Sequence, residues 1–402
     1  MKKTGKKPIL VLLGSGRGAY FAAKAFYEEY HGKAYVFGAY KSEFTKFCRI
    51  IKNKFFSGYR DVSVLLPEII SFGRKRKSEK IILLPCNDIY TDFVSKNEKE
   101  LSEYYEFIVP KKVLIEKLTD IRELYTLLDL CEIPHSECIF IGKDTRELKM
   151  SEKEDELILL PTSKTGYWSC PFPDMKNAYF PKNYEEALAI SRYIFSYGYS
   201  HDFALGKSTN IYEKYVYTFF ISENARGNFA VFGKIVLEDK RTPGKYLAIV
   251  TEEENTLCRK LKSFLREVGY RGFGSFYISE KNGTFYVDGF STAAAVGFDY
   301  ILACGINPIL SLASYFGIAD YQAGTEKKKV YWHSARHRTV MRCAKSVKDK
   351  MAARSLKKDG MSSFAFGCRG DLKFNPLRRA LLSTCMRKEK KQLFAAIKTE
   401  NG

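Results

Sequence analysis

The sequence predicts an α/β protein that begins with a parallel sheet and continues into lobes built from antiparallel strands. The continuous apolar run Ile9–Leu13 indicates a buried strand, and a glycine loop, an amphipathic helix and a second strand follow it as a βαβ unit. Far downstream, Gly274–Ser279 and Thr284–Asp288 alternate apolar and polar residues around Asn282-Gly283, a strong hairpin signal. Together these patterns predict a parallel α/β unit first and antiparallel lobes after it.

The composition supports a folded protein of two or three domains. The chain has 402 residues, of which 45% are hydrophobic and 15% aromatic, enough for a sizeable core. No apolar run approaches the ~20 residues that a membrane-spanning helix needs. The ten cysteines show no Cys-x-x-Cys pair, which is typical of reduced thiols in a cytoplasmic protein, while a catalytic cysteine is the minor alternative.

Positive charge is concentrated at the C-terminal end. The formal net charge is +20, and the segment from Glu326 onward holds 21 Lys and Arg against 6 Asp and Glu. Such a segment favours anionic partners, namely phosphorylated substrates, an anionic membrane surface or nucleic acid. The alternative is that these cations only form a solvated face.

Two candidate binding positions lie at the ends of the first strands. Gly16 and Arg17 stand where the glycine loop enters the first helix, so they could present amides and a cation to a substrate anion. Asn87 and Asp88 follow the strand Lys80–Leu84, and open α/β sheets bind ligands beyond the carboxyl ends of their strands. In both cases the alternative is a turn without a ligand.

The middle of the chain alternates helices and strands. Helical spacing of apolar residues predicts single helices over 89–105 and 111–131. Further elements are predicted as a strand at 157–160, a helix at 184–197, paired strands at 213–222 and 228–238, and a helix at 252–269. We expect four units: an N-terminal α/β domain (1–110), a small lobe with its linking helices (111–200), a large lobe (201–322) and a basic C-terminal segment (323–402).

Several stretches in this order resemble one superfamily. They are Leu83–Tyr90, Leu118–Asp120 with Ile133-Pro134, Leu237–Pro243, Tyr270–Phe276 and Asp371–Pro376. The chain resembles the ATP-grasp superfamily, and within it the carboxylate–amine ligases of the D-aspartate ligase type. The resemblance implies an ATP-grasp fold with an N-terminal pre-ATP-grasp domain, α+β catalytic lobes and a basic C-terminal extension.

The resemblance also implies a chemistry. Such enzymes use ATP and Mg²⁺ to phosphorylate a carboxylate, and an amine then attacks the acyl phosphate. The substrates would be a small carboxylate or amino acid and an amine acceptor, and a phosphorylated acceptor would suit the basic C-terminal segment.

The resemblance assigns the site residue by residue. Lys164, Lys176 and Asp288 would contact the nucleotide, Asp288 would also be the metal ligand, and Lys240 and Arg241 would be catalytic. For each of these cations a solvated surface position is the alternative.

The sequence departs from the family pattern where the ligands of ATP and Mg²⁺ are expected. Ile121 and Leu160 stand in place of two phosphate-binding lysines, Tyr277 and its neighbours in place of an acid, and Asp288-Gly289-Phe290 in place of Glu-Ile-Asn. These departures raise an alternative function, a catalytically degenerate ATP-grasp protein that serves as a binding or regulatory module. A third reading is a polyanion-binding protein that acts through the basic segment.

One further pair has metal-ligand spacing. His333 and His337 lie four residues apart, as metal ligands on a helix do, but Arg336 and Arg338 would repel a cation. Metal binding there is the disfavoured reading.

Overall fold

The computed structural model describes residues 7–148, 157–207, 212–239, 242, 244–324 and 327–400. The described residues form three sheets with helices packed on them. The α/β fold predicted from the sequence is confirmed.

The N-terminal region is an open parallel sheet of four strands in the order β3-β2-β1-β4. Its strands β1 and β4 are almost wholly apolar and buried, as expected for strands covered on both faces. The elements are β1 (Ile9–Leu13), α1 (Arg17–Tyr30), β2 (Ala34–Gly38), β3 (Ile51–Phe55), α2 (Val62–Arg74), β4 (Ile81–Pro85), α3 (Asp88–Lys96) and α4 (Glu98–Leu101). The single helix predicted over 89–105 is therefore wrong: Asn97 separates two helices.

Two short helices and a small antiparallel sheet come next. The elements are α5 (Lys112–Thr119), α6 (Ile121–Leu130), β5 (Cys138–Ile141), β6 (Leu157–Pro161), α7 (Lys164–Trp168), α8 (Tyr184–Ser196) and β7 (Phe203–Lys207). The sheet order is β5-β7-β6. The single helix predicted over 111–131 is wrong, because Asp120 adopts an extended conformation and caps α6 with its side chain.

The largest sheet has seven strands in the order β12-β11-β8-β9-β10-β13-β14. Its first part contains β8 (Glu213–Ile221), β9 (Phe229–Glu238), β10 (Tyr246–Glu252), α9 (Thr256–Glu267), β11 (Gly272–Lys281), β12 (Thr284–Ser291), α10 (Phe298–Ala303) and α11 (Pro308–Tyr315). The predicted hairpin of β11 and β12 is confirmed. Its turn residues Asn282 and Gly283 both have positive φ, as a two-residue hairpin turn with matching twist requires.

The basic C-terminal segment is built into this sheet. It supplies β13 (Tyr331–His333), α12 (His337–Cys343), α13 (Val347–Lys358), β14 (Ser362–Phe364), α14 (Arg369–Leu372) and α15 (Pro376–Glu400). Strand β13 pairs with β10, and β14 pairs with β13. Trp332 on β13 is fully buried in the same core as α1.

No single helix among the described residues has the length and apolar composition of a membrane span. One pair bent by 108°, Ala294–Ala303 with Pro308–Tyr315, reaches that composition only when its two helices are taken together.

Candidate functional site

A cleft of about 170 Å³ lies between the small three-stranded sheet and the seven-stranded sheet. Apolar side chains from both sheets and from the linking helices form much of its wall, including Leu124, Ile158, Ala204 and Phe290. This volume is comparable to the ~150 Å³ cavity that holds a benzene-sized ring. The cleft therefore offers a flat apolar slot between two lobes.

Three lysines face this apolar slot. Lys164 begins α7, Lys207 ends β7, and Lys214 lies near the start of β8, so the cations come from both lobes. The Lys164 ammonium lies 5.8 Å from the centroid of the Tyr277 ring, within cation–π range. Three carboxylates, those of Glu137, Glu238 and Asp288, line the same slot, so the lysines supply cationic groups to a cleft that carries both charges.

Asp288 reaches the cleft because β12 carries a bulge there. Tyr277 pairs with Gly289 but Ile278 pairs with Val287, so Asp288 is the extra residue of the strand. A bulge re-aims the side chain it carries. The Asp288 carboxylate accepts hydrogen bonds from the hydroxyls of Ser136 and Ser279.

The environment of Asp288 favours its neutral form. Burial raises the pKa of its carboxyl to about 6, because the charged form is desolvated. The two serine hydroxyls and Lys214 pull this pKa down, and Glu238 pushes it up. Asp288 therefore titrates close to neutral pH.

Glu238 is one of three carboxylates that line the cleft, with Glu137 and Asp288, and its carboxylate is already hydrogen-bonded. Its carboxylate accepts from Lys214 Nζ at 2.7 Å and from the backbone amide of Gly244 at 2.7 Å. The pair of Lys214 and Glu238 joins the adjacent strands β8 and β9.

Ser275, Phe276 and Tyr277 lie on the strand where the family pattern has an acid, and Tyr277 is the one of them that lines the cleft. A Cβ added to Gly244, which has a φ of +83°, would lie 3.2 Å from the Tyr277 ring. Burial raises the pKa of the Tyr277 phenol, and Asp88 and Glu238 raise it further, so the hydroxyl stays neutral. A neutral phenol cannot replace a carboxylate as a magnesium ligand.

Asp88 is tied to the strand that carries Asp288. Its carboxylate accepts from Ser291 Oγ at 3.0 Å and from the amide and hydroxyl of Thr292, both at 2.7 Å. Asn87 caps α3 by accepting from the amide of Tyr90 at 2.9 Å. The carboxyl end of the N-terminal sheet thus adjoins the end of β12, although both side chains have protein partners.

The glycine loop packs closely against the large lobe. A Cβ on Gly18 would lie 3.1 Å from the Cβ of Ala295, so α1 approaches that lobe as only glycine permits, whereas Gly16 faces open space. The Arg17 guanidinium is buried and donates to the Tyr246 carbonyl and to Ser334 Oγ, both at 2.9 Å. Burial lowers the pKa of Arg17.

Only some of the site residues predicted from the sequence line the cleft. Lys164 and Asp288 line it together. The Lys176 ammonium lies 5.9 Å from the Tyr179 ring, and its neighbour Asn177 is the residue that lines the cleft. Lys240 and Arg241 lie outside the described residues, although Glu238 and Gly244 on either side of them line the cleft.

Three contributors to the cleft were missed from the sequence. Lys207 and Lys214 have no motif around them, and only their positions at strand ends facing the gap between lobes reveal them. Ser136 belongs to a segment that pairs with Val287 through its backbone, a contact across about 150 residues that no local pattern shows.

The donor set fits ATP and does not fit a resident magnesium site. The three lysines can oppose phosphate charge, and the apolar walls can enclose a base. Within the described part of the chain, no three His, Cys, Asp or Glu side chains converge as metal ligands. Of the three acids that line the cleft, Asp288 and Glu238 are each hydrogen-bonded to protein groups.

Comparison with known proteins agrees with this architecture. No protein-family model matches the chain. It is 25% identical over 285 residues to D-aspartate ligase from Enterococcus faecium (strain Aus0004), a match covering 67% of this chain and 66% of that protein. The match thus spans just under two thirds of that relative's length.

Solved structures show the same fold at low sequence identity. An ADP complex of N5-carboxyaminoimidazole ribonucleotide synthetase has a TM-score of 0.58 at 11% identity and covers 81% of each chain. An L-amino acid ligase from Bacillus licheniformis has a TM-score of 0.55 at 12% identity, covering 78% of this chain and 75% of that one. A biotin carboxylase domain from Hydrogenobacter thermophilus, solved with MgADP and bicarbonate, has a TM-score of 0.58 at 13% identity, with coverages of 81% and 74%.

The fold, the cleft between two lobes and the sequence match lead to one conclusion. The chain has the ATP-grasp fold and is a sequence relative of D-aspartate ligase, as the sequence resemblance predicts.

Proposed function

We propose that this protein binds an adenine nucleotide in the inter-lobe cleft and joins a carboxylate to an amine at the expense of ATP. The observation that carries the proposal is the convergence of Lys164, Lys207 and Lys214 on an apolar slot between the two lobes. Enclosing a triphosphate requires cations, because an unpaired polyanion is costly to desolvate. D-aspartate ligase and the L-amino acid ligase among its relatives make the carboxylate–amine class the natural candidate.

In this reaction a carboxylate oxygen attacks the terminal phosphorus of ATP and ADP leaves. The amine then attacks the acyl carbon, and inorganic phosphate leaves. The lysines would hold phosphate oxygens in line with the carboxylate, which is mostly a matter of positioning and electrostatics. Lys240 and Arg241 stay candidates for contacting the same phosphates from the turn next to Glu238.

The residues of the N-terminal domain are candidates for the substrate side. Gly16 faces open space at the start of α1, and Asn87 and Asp88 lie at the junction with β12. Arg17 would contribute there only if its buried hydrogen bonds were exchanged. Asp288 stays a candidate nucleotide contact, and so does the exposed Lys176, whose neighbour Asn177 lines the cleft.

Nucleotide titration tests the proposal directly. We expect Lys164→Met to weaken ATP binding about tenfold while AMP binding changes little, because AMP lacks the outer phosphates. Lys182→Met removes an exposed lysine of the same lobe and should leave both affinities unchanged. Wild-type protein that binds no nucleotide at millimolar concentration, and releases no ADP with any amino acid and amine tested, would refute the proposal.

A second candidate is nucleotide binding without turnover. Ser275, Phe276 and Tyr277 favour it, because none of the three supplies the carboxylate that the family pattern has on this strand. Tyr277, the one that lines the cleft, is a neutral phenol. ATP labelled with ¹⁸O at the β,γ-bridge separates the two functions. A ligase scrambles the label when its carboxylate is present, whereas a protein that only binds ATP does not.

A further inference from the structure

Two neighbouring surface turns expose large apolar side chains next to cations. Phe374 is 76% exposed, Leu377 62% and Phe47 47%. Lys46, Arg49 and Lys373 are exposed beside them. These six residues, Lys46, Phe47, Arg49, Lys373, Phe374 and Leu377, form what we call the Phe patch, and they lie apart from the nucleotide cleft.

The two phenylalanines have an unusual backbone conformation. Phe47 has a φ of 57° and Phe374 a φ of 54°, in the left-handed region that bulky residues avoid. Glycine or asparagine would adopt this conformation more readily. Strained residues persist when the surrounding structure determines their conformation, and they cluster at functional sites.

A buried polar network holds the two turns together. Arg378 and Asp371 are both fully buried and form an ion pair of 2.8 Å. The Arg378 guanidinium also donates to the carbonyls of Glu43, Phe44 and Lys46. The turns of residues 43–49 and 371–378 are therefore fixed beside each other.

The side chains of Asn375 and Arg49 complete this connection. Asn375 donates to the Phe47 carbonyl at 2.8 Å, and Arg49 donates to the Lys373 carbonyl at 3.0 Å. The network thus links the backbones on which both phenylalanines are carried. Both phenylalanines are therefore carried by backbone segments that this hydrogen-bond network fixes.

The charge of the Phe patch is positive. Lys46 Nζ lies 5.1 Å from the Phe47 ring centroid, and Lys373 Nζ lies 5.3 Å from that of Phe374. Within residues 43–49 and 371–378, all of which the structure describes, Glu43 is the one exposed acid. Cations beside apolar tips match the layered chemistry of a lipid surface, with anionic headgroups outside and acyl chains beneath.

We infer that the Phe patch docks this protein onto the surface of a bilayer that contains anionic phospholipid. Phe47, Phe374 and Leu377 enter the headgroup region, and Lys46, Arg49 and Lys373 contact lipid phosphates. Base stacking with single-stranded nucleic acid fits less well, because each phenylalanine already has its own lysine beside the ring and Leu377 offers no stacking face. This inference does not depend on the proposed enzymatic function.

Vesicle cosedimentation of the full-length protein tests the inference. We expect binding to vesicles of phosphatidylcholine with 30% phosphatidylserine at low salt, and little binding to phosphatidylcholine alone. The double variant Phe47→Asn/Phe374→Asn should bind at least tenfold more weakly, since it loses two apolar side chains that would be buried in the bilayer. Asparagine tolerates the left-handed conformation, so this variant should fold at least as well as wild type.

Lysine substitutions in the Phe patch test the contribution of its charge, and apolar substitutions elsewhere on the surface test whether position matters. Lys46→Gln and Lys373→Gln should each weaken binding about fivefold, the effect of one basic residue near an anionic surface. The double variant Leu130→Gln/Met351→Gln removes exposed apolar side chains elsewhere and should bind like wild type.

Insertion itself can be observed at residue 374. We expect the added tryptophan of Phe374→Trp to be quenched by brominated acyl chains, measured against wild-type protein. Absence of vesicle binding at low salt would overturn the inference, and so would binding that the phenylalanine substitutions leave unchanged. Binding of a single-stranded oligonucleotide that vesicles do not displace would also overturn it and assign the patch to nucleic acid.

Discussion

Lys24 and Asp299 form an ion pair in the interior, where α1 meets α10. Lys24 Nζ lies 2.6 Å from the carboxylate of Asp299, and the Trp332 indole donates to that carboxylate at 2.7 Å. Burial alone would lower the pKa of Lys24, but Asp299 outweighs burial and raises it. The pair connects the N-terminal helix with the C-terminal segment that carries Trp332.

Removing one partner of this pair should lower the free energy of unfolding substantially. Lys24→Met leaves a buried carboxylate without its cation, and we expect a loss of about 3–5 kcal/mol in the free energy of unfolding. The double variant Lys24→Met/Asp299→Leu should recover much of that loss. Lys96→Met breaks the exposed pair with Asp92 and should cost at most ~1 kcal/mol in the same denaturant titration.

Asp288 should make stability depend on pH. Its folded pKa of about 6 lies above the ordinary value of ~3.9, so ionisation destabilises the folded state as pH rises from about 4 to about 6. Asp288→Asn keeps an acceptor for both serines without the charge. We expect this variant to melt ~2–4 °C above wild type at pH 7.5 and level with it at pH 4. Equal melting temperatures at both pH values would contradict the raised pKa.

At the residue scale, the sequence predicted the site only where a family pattern existed. Lys164 and Asp288 stand near family positions, and both line the cleft. Lys207 and Lys214 line the same cleft from outside the stretches that resemble the family, so no family position could reveal them. The bulge that turns Asp288 toward Ser136 depends on strand register, which a single sequence does not show.

At the scale of elements, Asp120 separates α5 from α6 and connects both to the small lobe. Its carboxylate accepts from the amide of Arg122 at 2.9 Å and from the Thr162 hydroxyl at 3.0 Å, and His201 Nδ1 lies 3.4 Å away. Burial would raise the pKa of Asp120, but hydrogen bonds from His201, Thr162 and the helix amides outweigh burial and lower it.

Two substitutions separate the cap from the charge of Asp120. Asp120→Ala removes both, and we expect a loss of about 1–2 kcal/mol in the free energy of unfolding. Asp120→Asn keeps the cap but weakens the attraction to His201, whose pKa is raised chiefly by its hydrogen bond with Asp120. That stabilisation is present below ~6.5 and is lost as pH rises through the higher folded value. Asp120→Asn should therefore destabilise the protein more at pH 6 than at pH 8.5.

The helix break at Asp120 could have been found from the sequence. Asp120 with Glu123 three residues later is the pattern of a helix start, and the continuous apolar spacing on both sides obscured it. The Asn282-Gly283 turn shows the opposite case, since its residue types alone determine the local geometry. Element types were predictable from local residue patterns, whereas the boundary at Asp120 was missed because apolar spacing across two consecutive helices outweighed a local capping signal.

At the scale of the whole molecule, the basic C-terminal segment belongs to the central sheet. Its residues Tyr331 and Trp332 are fully buried, and β13 pairs with β10. From the sequence we expected a basic C-terminal segment (323–402), and deleting that segment would be the direct test of polyanion binding through it. That deletion would also remove two strands, so it cannot separate binding from folding.

Two truncations should behave differently. A chain that ends at Gly324 loses β13 and β14, and we expect it to aggregate or to lose its cooperative thermal transition. A chain that ends at Ala395 keeps Leu393 in its hydrophobic cluster and should melt within a few degrees of wild type. Circular dichroism during heating measures both, and a cooperative transition in the shorter chain would show that the sheet does not need the segment.

Arg378 contacts a segment that is synthesised long before it. This side chain orders a turn at residues 43–46, more than 330 positions earlier. At about 5–20 residues per second, that turn waits roughly a quarter of a minute to a minute on the ribosome for its partner. Strand β10 likewise lacks its partner until β13 has been synthesised. The earlier part of the sheet therefore keeps one unpaired strand edge during translation. Residues 331–378 therefore complete contacts that much earlier segments lack, and the Phe patch becomes ordered only after Arg378 has been synthesised.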